Sequence, residues 1–147
     1  IRDEAQYRAR LDGMFAQADV VKVSDEDLEW LMPGASDMAA RAARLAAMGV
    51  KLVIVTLGGD GALGFLADGT QVQVPANKAT VVDTVGAGDT FNAGVLAKLS
   101  ELGVLSKAGL ATLSVDQATA ALAFGAKVAA VTVSRAGANP PWASELR

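Results

Sequence analysis

The sequence contains no cysteine and no histidine, and these two absences remove several kinds of chemistry. Without cysteine the chain can form no disulfide, no cysteine-ligated zinc site and no thiolate nucleophile. Without histidine it has no imidazole general base and no Ser-His-Asp triad. Catalysis would have to depend on carboxylates, lysines, hydroxyls, backbone amides and bound metal ions. The absence of cysteine is compatible with the cytoplasm, which is the location we expect.

The chain also lacks an excess of positive charge and a long uninterrupted apolar run. Its 147 residues carry 13 Lys and Arg against 16 Asp and Glu, giving a formal net charge of −3. We therefore do not expect it to hold nucleic acid through phosphate contacts. Lys107, Asp116 and Lys127 interrupt the apolar C-terminal region, so no membrane span is expected either. The expected partners are small molecules.

The order of helical and strand signals predicts the fold class. A hydrophobic fraction of 52% is typical of one packed globular domain, so residues 1–147 are taken as a single domain. Helices are predicted over 3–18, 24–32, 36–49, 89–102 and from about 114, and strands over 19–23, 51–59 and 80–82, with a hairpin between 61 and 75 that turns at Asp68-Gly69. Alternating elements of this kind favour an α/β sandwich around a mostly parallel sheet. Ligands then bind where strands end.

The stretch "VVDTVGAGDTFNAG", residues 81–94, combines a glycine loop with the start of a helix. Gly86 and Gly88 would let backbone amides point together at an anion, and a helix N-terminus adds partial positive charge. Asp89 beside such an anion pocket suits a base that takes the proton of an attacking hydroxyl. A plainer interpretation is an N-capping Asp after turn glycines. Neither the third glycine of a dinucleotide loop nor the GK[ST] of a Walker loop follows.

The same stretch resembles the second signature of the PfkB/ribokinase family of carbohydrate kinases, including its DTxGAGD core. Three further segments resemble family motifs in the family's order: "VKVSDEDLEWL" the Asn-x-x-Glu region, "VTLGGDGAL" the TLGxxG nucleotide loop, and "VSRAGANPPW" the C-terminal loop. The amino-acid sequences of these segments are most similar to those of bacterial fructokinases. The resemblance covers the C-terminal half of such a kinase. It implies a ribokinase-like three-layer sandwich, with the N-terminal half and its lid lying outside this sequence, which begins at Ile1.

The resemblance implies roles for individual positions. It implies Asp89 as the catalytic base and Gly86, Ala87 and Gly88 as the anion hole. The residues implied at the nucleotide are Thr56, Gly58, Gly61, Gly125 and Asn139, although Gly125 would equally permit close helix packing. The positions implied at a monovalent cation, mostly through backbone oxygens, are Asp83, Val85, Val133, Arg135 and Gly137. Asp83 could instead be a turn-forming residue, and the TLGxxG loop an ordinary strand-to-hairpin turn.

One motif departs from the family pattern. Asn-x-x-Glu appears as Ser24-x-x-Asp27, in which Asp27 could still order magnesium-bound water but Ser24 offers no amide. A capping box explains the same two residues equally well. Leu28, Trp30 and Leu31 are predicted to be core residues. The lysines at 22, 51 and 98 are predicted to be ordinary solvated charges.

The function implied by the resemblance is phosphorylation of a sugar hydroxyl by ATP, with Mg²⁺ bridging the phosphates and K⁺ as a further ion. Fructose is the leading substrate. Two alternatives stay open: a sister kinase for 2-keto-3-deoxygluconate or a nucleoside, and a noncatalytic nucleotide-binding regulatory module. A homodimer would form through the lid.

Overall fold

The computed structural model describes residues 2–146, which form six helices and four strands. The helices are α1 (Glu4–Phe15), α2 (Asp25–Leu31), α3 (Met38–Ala47), α4 (Ala87–Glu101), α5 (Lys107–Ala111) and α6 (Val115–Val133). The strands are β1 (Val20–Ser24), β2 (Leu52–Thr56), β3 (Ala62–Leu66) and β4 (Gln71–Val74). No helix in this part of the chain is both long enough and apolar enough to cross a membrane.

Side-chain caps begin nearly all of the helices. An Asp or Ser oxygen accepts the backbone N–H three residues on at the start of five of them, with Asp3, Ser24, Asp37, Ser106 and Ser114 as the caps. Helix α4 is different, because its N-cap is Gly86 in the left-handed region (φ 78°) and no side chain caps it. The amides of Gly88 and Asp89 in its first turn are therefore left available to another partner.

The sheet is mixed and its strands are ordered β1-β2-β3-β4. β1 and β2 are parallel, whereas the β2–β3 and β3–β4 pairings are antiparallel. The antiparallel pairings arise because the predicted hairpin lies within the sheet. Its turn is closed by the Asp68 carboxylate, which accepts the Thr70 amide at 2.9 Å, and by Gly69 at φ 85°.

Helices cover both faces of this sheet, which confirms the predicted α/β sandwich. One core lies between the sheet and α4, α5 and α6, with Leu52, Ile54, Leu99 and Leu122 fully buried in it. The other lies on the opposite face against α2 and α3 and includes Leu45. The sheet therefore lies between two layers of helices, which gives three layers in all.

The structure corrects three details of the sequence prediction. Residues 80–82 do not form a strand. The Val82 amide donates to the Val133 carbonyl at 2.7 Å, so this segment lies beside the end of α6. Helix α5 was not predicted. Trp30 is not a core residue, since it is 38% exposed and stacks under the Arg8 guanidinium at 4.0 Å. Leu28, by contrast, is buried as predicted.

Candidate active site

A cavity of about 490 Å³ lies where the two glycine loops meet. The loop after β2 contributes Thr56, Gly58, Gly59 and Gly61, and the start of α4 contributes Ala87 and Gly88. The segment after β4 supplies Ala76, Asn77, Lys78, Ala79 and Val81, and the cavity is completed by Thr84, Phe91, Ala126, Ala129, Ala130 and Val133. The fold thus joins two motifs that the sequence shows about 30 residues apart at a single pocket.

One wall of the cavity is a stripe of small residues on α6 that the sequence analysis missed. Ala126, Ala129, Ala130 and Val133 are spaced i, i+3, i+4 and i+7, which places them on one helix face. Alanines leave room that larger side chains would fill, and they present an apolar surface. The helical spacing could have identified the stripe, but not that it faces a cavity rather than the core.

The loop after β2 needs its glycines for backbone geometry. Gly61 has φ 102°, and a Cβ there would lie 2.1 Å from the Val74 carbonyl oxygen. Gly58 has φ 55° with nothing within 4 Å of a Cβ position, so its open side faces free space. Thr56 ends β2, and its hydroxyl donates to the Val23 carbonyl at 3.3 Å. The loop is therefore held tight against the hairpin and open towards the cavity.

The first turn of α4 offers backbone amides. The Ala87 amide donates to the Thr84 carbonyl at 3.2 Å. Within residues 2–146 the amides of Gly86, Gly88 and Asp89 have no acceptor. The Asp89 side chain is exposed and forms no hydrogen bond or ion pair with the described residues. The free amides of Gly88 and Asp89 and the free Asp89 carboxylate thus share the first turn of α4.

The C-terminal loop lies against this turn. A Cβ on Gly86 would lie 2.7 Å from the Cβ of Ala138. Asp83 joins the two segments, because its carboxylate accepts the Val85 amide at 2.9 Å and the Gly137 amide at 2.8 Å. These two backbone hydrogen bonds lower the pKa of Asp83, since they stabilise its charged form. The turn-forming role expected for Asp83 is therefore present.

The five predicted cation positions come together, but their oxygens are not equally available. The Val133 carbonyl accepts two amides, from Val82 at 2.7 Å and Asp83 at 3.2 Å, which occupies both of its lone pairs. The Gly137 carbonyl accepts the Asn139 amide at 2.8 Å. The carbonyls of Val85 and Arg135 accept no hydrogen bond within residues 2–146. The Arg135 side chain is paired with Glu145.

Gly86 and Asp89 adjoin the lining residues Ala87 and Gly88 without lining the cavity themselves, and three further predicted positions lie away from the lining. Gly125 is buried between helices, where a Cβ would lie 2.7 Å from Val95 Cγ2 and 2.8 Å from the Phe91 carbonyl. Asn139 is exposed in the C-terminal loop. Asp27 is exposed in the first turn of α2, and its amide donates to the Ser24 hydroxyl at 3.0 Å, as in a helix cap. For Gly125 the contacts are those of helix packing.

Lys22 lies at the site although the sequence analysis treated it as a solvated charge. It is half-buried on β1, and a Cβ built on Gly88 would lie 2.8 Å from its Nζ. Lys98, in contrast, is paired with Glu101 at 3.0 Å, as expected for a surface lysine. No signal in the sequence distinguishes these lysines, because the approach of Lys22 to Gly88 depends on where β1 lies relative to the start of α4.

Known proteins are similar to this chain in sequence and in fold. A fructokinase from Rhizobium leguminosarum bv. trifolii is 47% identical over 114 residues, which is 77% of this chain and 34% of the relative. A crystal structure of aminoimidazole riboside kinase from Salmonella enterica, complexed with aminoimidazole riboside and an ATP analogue, matches with a TM-score of 0.78 and 31% identity. That match covers 98% of this chain and 46% of that one.

A double-mutant fructokinase from Vibrio cholerae O395, in its fructose-, ADP- and potassium-bound form, matches with a TM-score of 0.76 and 27% identity. The match covers 92% of this chain and 41% of that one. The chain therefore spans less than half the length of each of these relatives. The pfkB family of carbohydrate kinases matches residues 1–145. With its ribokinase-type fold and its two glycine loops at one cavity, the chain belongs to the pfkB family of carbohydrate kinases.

Proposed function

We propose that these residues are the nucleotide-binding and catalytic part of a longer kinase that transfers a phosphoryl group from ATP to a sugar hydroxyl. The observation that carries the proposal is the shared cavity: both glycine loops line it, the amide of the lining residue Gly88 has no partner, and neither has the amide of Asp89, the next residue in the chain. Asp89 stands on the same turn with a free carboxylate. Family membership and the ligands of the similar structures support the same assignment.

The cavity suits ATP in both shape and polarity. Its alanine wall on α6 is an apolar surface for a purine ring, and its volume of about 490 Å³ is within the range of small-molecule sites. Gly58 and Gly61 let the chain after β2 approach the nucleotide closely. The phosphates then extend towards the first turn of α4, where free amides and the helix dipole favour negative charge.

The transfer itself needs a positioned base and a held phosphoryl group. Asp89 accepts the proton of the attacking sugar hydroxyl, and the hydroxyl oxygen forms a bond to the γ-phosphorus. The bond from the γ-phosphorus to the β,γ-bridging oxygen breaks, so the products are ADP and a sugar phosphate. The Gly88 and Asp89 amides stabilise charge on the oxygens in transit.

The two ions implied by the family are Mg²⁺ and K⁺. The residues of this chain supply only some of the oxygen ligands that each ion would need. Within residues 2–146 no group of three carboxylates is placed to bind a metal, as expected when Mg²⁺ is held mainly by the phosphates and by water. Asp27, exposed near the carboxyl end of β1, would reach it through water. Mg²⁺ neutralises phosphate charge when bound. A K⁺ ion would use the open carbonyls of Val85 and Arg135 and would stiffen the loop before α4.

Fructose is the substrate we propose first, because two of the three similar proteins described are fructokinases. A riboside is the second candidate, supported by the high coverage of the match to aminoimidazole riboside kinase. A 2-keto-3-deoxygluconate kinase shares the same motifs. In this proposal the sugar pocket, the lid and a lid-mediated homodimer belong to the part of the relatives that lies outside this chain.

The test is a substrate panel on the complete protein that contains these residues. ATP with fructose, with aminoimidazole riboside and with 2-keto-3-deoxygluconate would be followed by ADP release, and the product by ³¹P NMR. We expect turnover with fructose and a new phosphate-ester signal. ATP binding without phosphotransfer to any of the three would favour the noncatalytic nucleotide-binding module instead.

A further inference from the structure

Lys22 lies next to Gly88 at the site, but the proposed function gives it no role. Along β1, Val21 and Val23 are buried on the face covered by α2 and α3. Because side chains alternate across a strand, Lys22 lies on the opposite face with Val20, which packs against the core around α4 and α6. Its neighbour in the register is Ile54, which is fully buried. A lysine therefore occupies a position on the inner face of β1.

The ammonium group of Lys22 ends at the first turn of α4. A Cβ built on Gly88 would lie 2.8 Å from its Nζ and 3.9 Å from its Cε, and apart from the surrounding turn of α4 no other atom lies within 4 Å of that point. Only the absence of a side chain at Gly88 lets the ammonium come so close. The Lys22 side chain thus ends beside Gly88, a residue that lines the cavity and whose amide has no acceptor.

This arrangement leaves positive charge without compensation. Within residues 2–146 the side chains of Lys22 and Asp89 form no hydrogen bond and no ion pair, either with each other or with another residue. The partial charge at a helix N-terminus is also positive, so the helix dipole disfavours an ammonium group at that end. A half-buried cation facing free amides is stabilised when an anion lies between them.

We propose that Lys22 is a catalytic residue that contacts the phosphoryl group in transfer, completing the anion hole formed by the Gly88 and Asp89 amides. This inference depends on the proposed function and adds one residue to it. The ammonium neither gains nor loses a proton during the reaction. It donates hydrogen bonds to the non-bridging oxygens of the γ-phosphoryl group while the bond to the bridging oxygen breaks and the bond to the sugar oxygen forms. A cation so placed stabilises the transition state more than the bound substrates.

The experiment compares variants of the complete protein. Lys22→Met keeps the aliphatic stem and removes the charge, and Lys22→Arg keeps a charge. Lys51→Met is the matched control, because Lys51 is also half-buried but directly precedes β2, at the opposite end of that strand from the glycine loop. We expect Lys22→Met to lower kcat by about 100-fold, with the KM for sugar within about threefold of wild type. Lys22→Arg should recover part of kcat, and Lys51→Met should match wild type.

A kcat for Lys22→Met within about threefold of wild type, in a protein with turnover, would overturn the inference while leaving the proposed function intact. A wild type without turnover would instead contradict the proposed function. In that case calorimetric binding of inorganic tripolyphosphate still tests the contact of Lys22 with phosphate: about tenfold weaker binding by Lys22→Met supports this contact, and equal affinity contradicts it. If Lys22→Met does not fold, Lys22→Gln, which is polar but uncharged, replaces it in both measurements, with the same expected losses.

Discussion

Asp83 and Gly137 are 54 residues apart in the sequence and are joined by a 2.8 Å hydrogen bond from the Gly137 amide to the Asp83 carboxylate. The other oxygen of the same carboxylate accepts the Val85 amide. One side chain therefore connects the loop before α4 with the loop after α6. Since α4 begins only two residues beyond Val85, this connection helps to fix where its free amides point.

The first prediction concerns the pH dependence of this connection. Backbone hydrogen bonds from Val85 and Gly137 lower the pKa of Asp83 below its ordinary value of 3.8. A group with a depressed folded pKa stabilises the fold above the unfolded pKa and loses that contribution as the pH falls through the folded value. We expect the Gly137 amide proton to shift in NMR spectra with a midpoint below pH 3.8. A midpoint at or above the ordinary value would contradict the bonding described.

The second prediction concerns Asp89 as the general base. Asp89→Asn in the complete protein should lower kcat by about 100-fold or more, because the amide cannot accept the hydroxyl proton, while ATP affinity changes little. Asp116→Asn is the matched control, since Asp116 is also an acid in the first turn of a helix. Steady-state kinetics and ATP titration check both variants. Unchanged turnover in Asp89→Asn would remove the base assignment.

The third prediction separates stability from activity at Gly88. Replacing a helical glycine by alanine favours the helix by about 0.5–1 kcal/mol. Gly88→Ala should thus retain or raise the melting temperature, because only the mobile end of Lys22 must move away. Its methyl group would nevertheless occupy the space proposed for the phosphoryl group, so kcat should fall by about 100-fold.

Gly13→Ala serves as the comparison for Gly88→Ala. It is also a helical glycine, and nothing lies within 4 Å of its Cβ position, so it should leave activity unchanged. A Gly88→Ala enzyme with wild-type kcat would mean that the first turn of α4 does not hold the phosphoryl group.

The fourth prediction distinguishes the two roles considered for Gly125. Its Cα lies 3.0 Å from the position of a Cβ on Gly94, and α4 and α6 are in close contact there. Gly125→Ala should destabilise the fold by about 1–3 kcal/mol through overpacking, seen as a lower midpoint in denaturant. At temperatures where the variant is folded, the KM for ATP should stay near wild type. A raised KM with unchanged stability would favour contact with the nucleotide instead.

The sequence was sufficient for the features that depend on local chemistry. Ser114 with Gln117 forms a complete capping box at the start of α6, and Asp68-Gly69 closes the hairpin. Both signals lie within a few residues of one another, so their physics is contained in the local sequence. The two glycine loops were found for the same reason, as each is a short motif at the end of a strand or the start of a helix.

Features set by packing between distant segments could not be predicted. Val81 and Val82 have strand-forming side chains, yet the Val82 amide pairs with the end of α6, about 50 residues away. Gly125 could border a ligand or a helix, and only the position of Val95 decides between them. Lys22 is chemically like every other lysine of the chain. Its neighbourhood depends on the approach of its side chain to Gly88 at the start of α4, which no local pattern encodes.

The most direct test of the central proposal is a crystal structure of the complete protein with ADP, aluminium fluoride, Mg²⁺ and fructose. We predict that the aluminium fluoride, in the place of the transferred phosphoryl group, lies at hydrogen-bonding distance from the amides of Gly88 and Asp89. The attacking sugar oxygen should lie within hydrogen-bonding distance of the Asp89 carboxylate. Aluminium fluoride bound elsewhere, or an Asp89 carboxylate turned away from the sugar, would contradict the proposed anion hole and base.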